Sequence, residues 1–276
     1  MRKPCLQAAS RVSMSDIFHF EAGTAPLLIS IPHLGSLIPE TQKPLMTPLG
    51  LRSGDTDWHL DCLYAFGKKL GASFLWARYS RYVVDLNRPP NDESLYPGQA
   101  KTGLCPTQTF DGQPLYLDGR DSIADDEREA RRIQYWQPYH DQLRTEIDRL
   151  RAQHGKVLLW EGHSIASVIP RLFDGKLPDL NIGTAAGASA APGIQEIIER
   201  QLATQTDYSW AVNGRFKGGY ITRHYGNPAG NVHAVQLEMC QSTYMEEHYP
   251  YAWAEDAAAR VGALVERLVS QAFEQL

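Results

Sequence analysis

No apolar run in the chain approaches the ~18 residues that a membrane-spanning helix needs, so the sequence offers no candidate span. Cysteine is scarce. Cys5, Cys62, Cys105 and Cys240 are scattered without a C-x-x-C pair, which argues against a disulfide framework and fits a reducing cytoplasm. There is no block of like charge, and the net charge is only −5 over 276 residues. Neither nucleic acid nor an anionic membrane is therefore expected as a partner. The opening stretch MRKPCLQAASRVSMSDIF is basic but lacks the apolar segment of a secretory signal. Residues 1–18 read as a loosely packed N-terminal segment. No repeat or low-complexity linker divides the rest, so a single domain over 1–276 is expected. Two short catalytic signatures are also missing: H-E-x-x-H for a metal and G-x-S-x-G for a nucleophilic serine.

What is present is an alternation of apolar strand patterns and helical patterns. APLLISIPH (25–33), SFLWARYS (73–80), RYVVDL (81–86) and KVLLWEGHS (156–164) read as strands. TDWHLDCLYAFGKKLG (56–71) reads as a helix with Gly71 as its stop, and a longer helix is predicted over about 122–153. Its buried face is Ile133, Trp136, His140, Leu143, Ile147 and Leu150, at steps of three and four. His140 and His154 read as core or surface filler. Between the 81–86 strand and this helix, 91–119 is a Gly/Pro/Thr-rich stretch too long for a plain connection and is read as a loop near the site. RLFDGKLPDLNIGTAAG (171–187) reads as another loop and GIQEIIERQLATQ (193–205) as a helix. SWAVNGRF (209–216), GYITRHYG (219–226) and VHAVQLEMC (232–240) read as strands before a last helix over about 253–273. The interleaving predicts an α/β fold: a mostly parallel or mixed central sheet with helices on both faces and an antiparallel or mixed edge.

Ligands of open α/β sheets bind beyond the carboxyl ends of the strands. The predicted strands deliver polar groups there: His33; Asp85, Asn87 and Arg88; Glu161, His163 and Ser164; Glu238. Asp55 and Asp57 stand at the start of the helix pattern, where an aspartate can also serve as N-cap. Two histidines and one carboxylate with an open fourth position form a catalytic zinc ligand set. His33, Asp57 and His163 can fill it, and Glu238 can handle the proton of a water whose pKa zinc lowers to about 7.

Seven blocks carry a longer signal: ISIPHLGSLIP, DTDWHLDCLY, SRYVVDLNRPP, LYPG, FDGQPLY, EGHSIASVIPRLFDGKLPDLNIGT and VHAVQLEMCQSTYM, in order from Ile29 to Met245. Together they resemble the N-formylglutamate amidohydrolase (deformylase) family, which is itself similar to the zinc carboxypeptidase-like exopeptidases. Asp85–Arg88 is similar to the Asn-Arg pair that grips a terminal carboxylate in those peptidases. His163 is similar to their second histidine ligand, and Glu238 to their catalytic glutamate. One feature departs from the pattern. The peptidases carry His-x-x-Glu, whereas Ser36 stands three residues beyond His33. The carboxylate ligand must then come from elsewhere, with Asp57 as the first choice and Asp55 as the alternative.

The resemblance implies zinc-dependent hydrolysis of N-formyl-L-glutamate to L-glutamate and formate, a step of histidine degradation. It implies Glu238 as proton carrier and Arg81 as an aid to the oxyanion. Arg88, with Asn87 beside it, suits the α-carboxylate of a small dianionic substrate, because a guanidinium can bond both oxygens. Arg223 is the candidate for the second carboxylate, with Arg171 behind it, and Gly218 and Gly219 would let that segment approach closely. Three rival readings remain open. Ser164 or Ser167 could serve a serine hydrolase, although adjacent His163 and Ser164 on one strand face opposite ways. The chain could instead be a non-catalytic module for acidic amino acids, or a zinc deacylase of another N-acyl amino acid.

Overall fold

Leu27–Ile31 is buried at every residue, as only a central strand covered on both faces can be. The computed structural model describes residues 16–93 and 102–276. The first half holds β1 (Phe18–Glu21), β2 (Leu27–Ile31), α1 (Pro48–Leu51), α2 (Leu60–Leu63) and β3 (Ser73–Ala77). Next come α3 (Asp125–Arg131), α4 (Gln137–His154), β4 (Val157–Ile165), β5 (Leu180–Gly183) and α5 (Pro192–Ala203). The chain closes with β6 (Trp210–Val212), α6 (Tyr220–Tyr225), β7 (Val232–Cys240) and α7 (Glu255–Glu274). The strands form one sheet in the order β1-β3-β2-β4-β7-β5-β6. The four central strands β3, β2, β4 and β7 are parallel. At the edges β1 runs antiparallel to β3, and β5 runs antiparallel to β7 with β6 parallel to β5. The α/β architecture is thus a mixed sheet with a parallel centre.

Side-chain alternation sends each strand's residues to two separate cores. Leu158 and Trp160 of β4 join α5 and α7 on one face, while Val157 and Leu159 join α4 on the other. Extended along β4, the same alternation puts Glu161 and His163 on the α4 face and Gly162 and Ser164 on the α7 face. Glycine is required at 162 because the Tyr64 ring fills that space. An added Cβ would lie 2.6 Å from Tyr64 Cε2, and the Tyr64 hydroxyl accepts a hydrogen bond from Trp160 Nε1 at 3.1 Å.

Several elements differ from the sequence reading. Residues 81–86 are buried but form turns, not a strand. Asp85 Oδ1 accepts from Asn87 N at 2.9 Å, and a side chain that bonds its own backbone competes with a sheet ladder. Residues 219–226, read as a strand, fold as the short helix α6. Its first-turn amides are taken up by Asn87, with Tyr220 N donating to the carbonyl and Ile221 N to Oδ1. The expected helix over 56–71 is reduced to α2 and a 3-10 turn, broken by His59 in a left-handed conformation, φ 63°. The 171–187 stretch contains β5. The long helix starts at Asp125, passes through a π turn at Arg132–Trp136 and ends at Gly155, φ 76°. The π turn shifts the helical register, and Ile133, expected on the buried face, is exposed. Of the 91–119 loop, 94–101 lie outside the described residues, as do 1–15 of the expected N-terminal segment.

Replacing Gly162 by alanine should destabilise the protein by about 1–3 kcal/mol, because the ring of Tyr64 must move. Urea unfolding measures this, and an alanine variant as stable as the parent would contradict the packing described.

Candidate functional site

β2 ends at Ile31, and Pro32 carries the chain to His33, which sits above the sheet's carboxyl edge beside His163 of β4. The two rings are 4.9 Å apart between centroids. Asp57 joins them through its own backbone, since its N–H donates to the His33 carbonyl at 3.0 Å. One ligand atom each from His33, Asp57 and His163 lies within 4.8 Å of the others, and all three residues are buried.

The far side of each imidazole is held by a carboxylate. His33 Nε2 lies 2.7 Å from Asp85 Oδ1, and Asp85 Oδ2 accepts from Arg81 Nη2 at 2.7 Å. His163 Nε2 lies 2.8 Å from Glu161 Oε1, and Glu161 Oε2 accepts from the Thr222 hydroxyl at 2.5 Å. With both Nε2 atoms taken, both Nδ1 atoms turn toward Asp57: His163 Nδ1 is 3.2 Å and His33 Nδ1 3.7 Å from Asp57 Oδ2. Two buried atoms of this group, His33 Nδ1 and Asp57 Oδ1, have no hydrogen-bond partner. Imidazoles backed by carboxylates at Nε2, with their Nδ1 atoms turned toward a shared acid, are the arrangement of a histidine metal centre. The donor set, two nitrogens and an oxygen, fits a divalent cation of the zinc type.

Charge in the site points the same way. Burial and the nearby Arg81 charge lower the pKa of His33, so its Nδ1 lone pair is bare. Burial acts to raise Asp85, but the His33 imidazole bonded to it and the charge of Arg81 outweigh it and hold the carboxyl well below its usual range. His163 is the opposite case. Burial acts to lower its pKa, but the Glu161 charge and hydrogen bonds to Asp57 and Glu161 prevail and raise it to about 10. Glu238 stands opposite His163 in the β4–β7 register and so shares its face. Burial pushes its carboxyl up to about 8, with Asp57 and Glu161 adding to the rise and His163 and Arg81 opposing it.

Other candidates are placed as follows. Asp55 is outside the ligand group, its Oδ2 accepting from Phe110 N at 2.8 Å. Arg81 is buried, with its guanidinium 4.5 Å from the Phe110 ring centroid. Asn87 Nδ2 lies 3.0 Å from His163 Nε2. Arg88 donates to Thr102 O and Oγ1 and to Asn87 O. Arg171 donates to the Phe110 and Thr109 carbonyls, and the exposed Arg223 to Gly218 O. Ser164 faces away from His163 and accepts from the Tyr244 hydroxyl at 2.7 Å, while Ser167 donates to Glu247. Neither hydroxyl is hydrogen-bonded to the histidine that a serine hydrolase uses as base.

Sequence reasoning missed Glu161 and Asp85 as imidazole partners, and Thr222 behind Glu161. Glu161 carried a signal, because a residue two before His163 on a strand shares its face. His140 is core, but it also fixes the site's backbone. Its Nε2 lies 2.9 Å from Leu86 O and its Nδ1 3.0 Å from the Tyr225 hydroxyl, and burial lowers its pKa to about 3.

Because the His163 pKa is raised to about 10, the metal-free site carries a proton on both ring nitrogens at neutral pH. A cation at Nδ1 must displace one of them. Uptake of zinc by the stripped protein at about pH 7.5 should release at least about one proton per ion, that of His163 with a share from Glu238, and affinity should rise with pH below the His163 pKa. Titration in weak buffer with a pH indicator measures it, and uptake without proton release would contradict the charge assignment.

The N-formylglutamate amidohydrolase family model matches residues 25–245. A curated N-formylglutamate deformylase of Pseudomonas putida is 49% identical over 256 residues, covering 93% of this chain and 95% of its own. Its counterpart in Pseudomonas aeruginosa is 48% identical over 93% and 96%. The crystal structure of an N-formylglutamate amidohydrolase from Ralstonia eutropha superposes with a TM-score of 0.78 at 25% identity, over 94% of this chain and 97% of that one. A structure from Agrobacterium tumefaciens shares the fold, with a TM-score of 0.70 at 20% identity over 94% and 95%. With a family model spanning most of its length and relatives nearly half identical, the chain belongs to the N-formylglutamate amidohydrolase family.

Proposed function

We propose that this chain hydrolyses N-formyl-L-glutamate to L-glutamate and formate, using one zinc ion held by His33 Nδ1, His163 Nδ1 and Asp57. The observation that carries the reading is the pair of buried, unpartnered atoms, His33 Nδ1 and Asp57 Oδ1, facing the one His163 nitrogen not held by Glu161. The names of the curated relatives supply the substrate. Bound zinc would act as a Lewis acid toward the formyl oxygen and lower the pKa of a water to about 7.

The chain's own residues do the rest. Glu238 takes the proton of the attacking water as its oxygen bonds to the formyl carbon. The same proton then goes to the nitrogen as the C–N bond breaks. Without a cation, burial raises the Glu238 carboxyl to about 8, and a divalent cation beside it would favour the ionised form that accepts the proton. Asp85 and Glu161 hold a proton on Nε2 of each histidine, so that Nδ1 is the nitrogen offered to a cation. When His163 Nε2–H points at Glu161, it cannot accept from Asn87, whose Nδ2 is then available to a substrate oxygen. Arg81 is the buried positive charge beside the reacting group.

Arg88 retains two of its five N–H donors, one on each terminal nitrogen, after its three bonds to Asn87 and Thr102. That outer fork suits the α-carboxylate. Arg223 and Arg171 are the cations proposed for the side-chain carboxylate. The free thiols of Cys62, Cys105 and Cys240 fit a reducing compartment, and we place the reaction in the cytoplasm.

Formate release from N-formyl-L-glutamate should stop on removal of the metal with a chelator and return with added zinc. Glu238→Gln should lower kcat about 10²–10⁴-fold with metal content unchanged. Near-normal turnover in the stripped protein or in that variant would defeat the mechanism. Arg88→Ala should raise KM more than tenfold and leave zinc content intact, because truncating a charged donor to a carboxylate costs roughly 1.5–3 kcal/mol; an unchanged KM would remove Arg88 from the substrate site.

A further inference from the structure

Helix α6 supplies no atom to the ligand group, yet its first turn is fastened to it. Ile221 N donates to Asn87 Oδ1 at 2.8 Å. One residue later, the Thr222 hydroxyl reaches across to β4 and donates to Glu161 Oε2 at 2.5 Å. Inside a helix a threonine hydroxyl commonly bonds the carbonyl one turn back. Here that carbonyl, Gly218 O, accepts from Arg223 Nε, and the hydroxyl is turned toward the site. Thr222 and Glu161 are fully buried, and His163 is 2% exposed. Glu161 therefore has one donor for each oxygen, Thr222 on one and His163 Nε2 on the other.

This geometry has a consequence for His163. A buried carboxylate held at both oxygens has its plane fixed, and it in turn fixes the ring of the imidazole that donates to it. Remove the hydroxyl and one oxygen of Glu161 loses its partner in the interior. The carboxylate is then free to turn toward other donors, and His163 loses its fixed aim. We infer that Thr222 is a positioning residue of the metal centre, acting through Glu161 to orient His163 Nδ1 toward the ion. The inference rests on the metal reading proposed above. It also makes the seating of α6, the helix that carries Arg223, part of what sets affinity for the ion.

The test is metal affinity, not turnover. Stripped protein is titrated with zinc against a chromophoric chelator and with cobalt(II), whose visible spectrum reports ligand geometry. Thr222→Val and Thr222→Ala should each lose about tenfold or more in affinity and shift the cobalt spectrum, as loss of an outer partner does. Thr222→Ser should stay within about threefold of the parent. Serine and alanine both lack the methyl group, so the difference between them isolates the hydroxyl if the valine variant packs badly. His163→Ala serves as control. If the parent binds no ion, or His163→Ala binds as tightly as the parent, the metal reading fails and Thr222 with it. If His163→Ala loses the ion but Thr222→Ala matches the parent, or matches Thr222→Ser, only the Thr222 inference is overturned.

Discussion

The site depends on two histidines being gripped from behind. Asp85 holds Nε2 of His33 and Glu161 holds Nε2 of His163, and this leaves both Nδ1 atoms facing Asp57. With Glu238, four carboxylates are buried around a single buried guanidinium, that of Arg81. Isolated charges in an interior cost several kcal/mol each unless they are paired. In the metal-free protein His163 offsets part of this by remaining protonated, and a divalent cation would replace that charge. The same imbalance gives Glu238 a carboxyl that titrates near neutrality.

The sheet supplies the rigidity that this arrangement requires. β4 and β7 run parallel and in register over nine residues, so His163 and Glu238 are neighbours because the strands are. Tyr64 under Gly162 and Tyr244 bonded to Ser164 pack the opposite face of β4. Movement of the histidine would therefore disturb the α7 core. On the α4 face, His140 and Trp136 hold the carbonyls of Leu86 and Arg88. That anchors the turn from which Asp85 and Asn87 project, and it gives the irregular 81–88 segment the precision of a strand.

The central strands were legible in the sequence because a fully buried parallel strand is a near-continuous apolar run, as Val157–Trp160 is and as Leu27–Ile31 is but for Ser30. The 81–86 and 219–226 segments were not, because distant partners decide their conformation. Asp85 bonds its own turn and the backbone of Leu104, while Asn87 caps a helix 134 residues further along. Among site residues, His33, Asp57 and His163 could be singled out as a group by their chemistry and are brought together. The preference for Asp57 over Asp55 rested on no local pattern. A backbone bond to His33 directs one, and the amide of Phe110 engages the other. Glu161 was readable from strand alternation; Asp85 as partner of His33, and Thr222 as partner of Glu161, required the fold.

The most direct measurement is a crystal structure of the zinc-loaded protein with anomalous scattering collected at the zinc edge. The account predicts one anomalous peak between His33 Nδ1, His163 Nδ1 and Asp57, with Asp85 and Glu161 still on the two Nε2 atoms. A peak elsewhere, or an ion bound through Nε2 of either histidine, would contradict it.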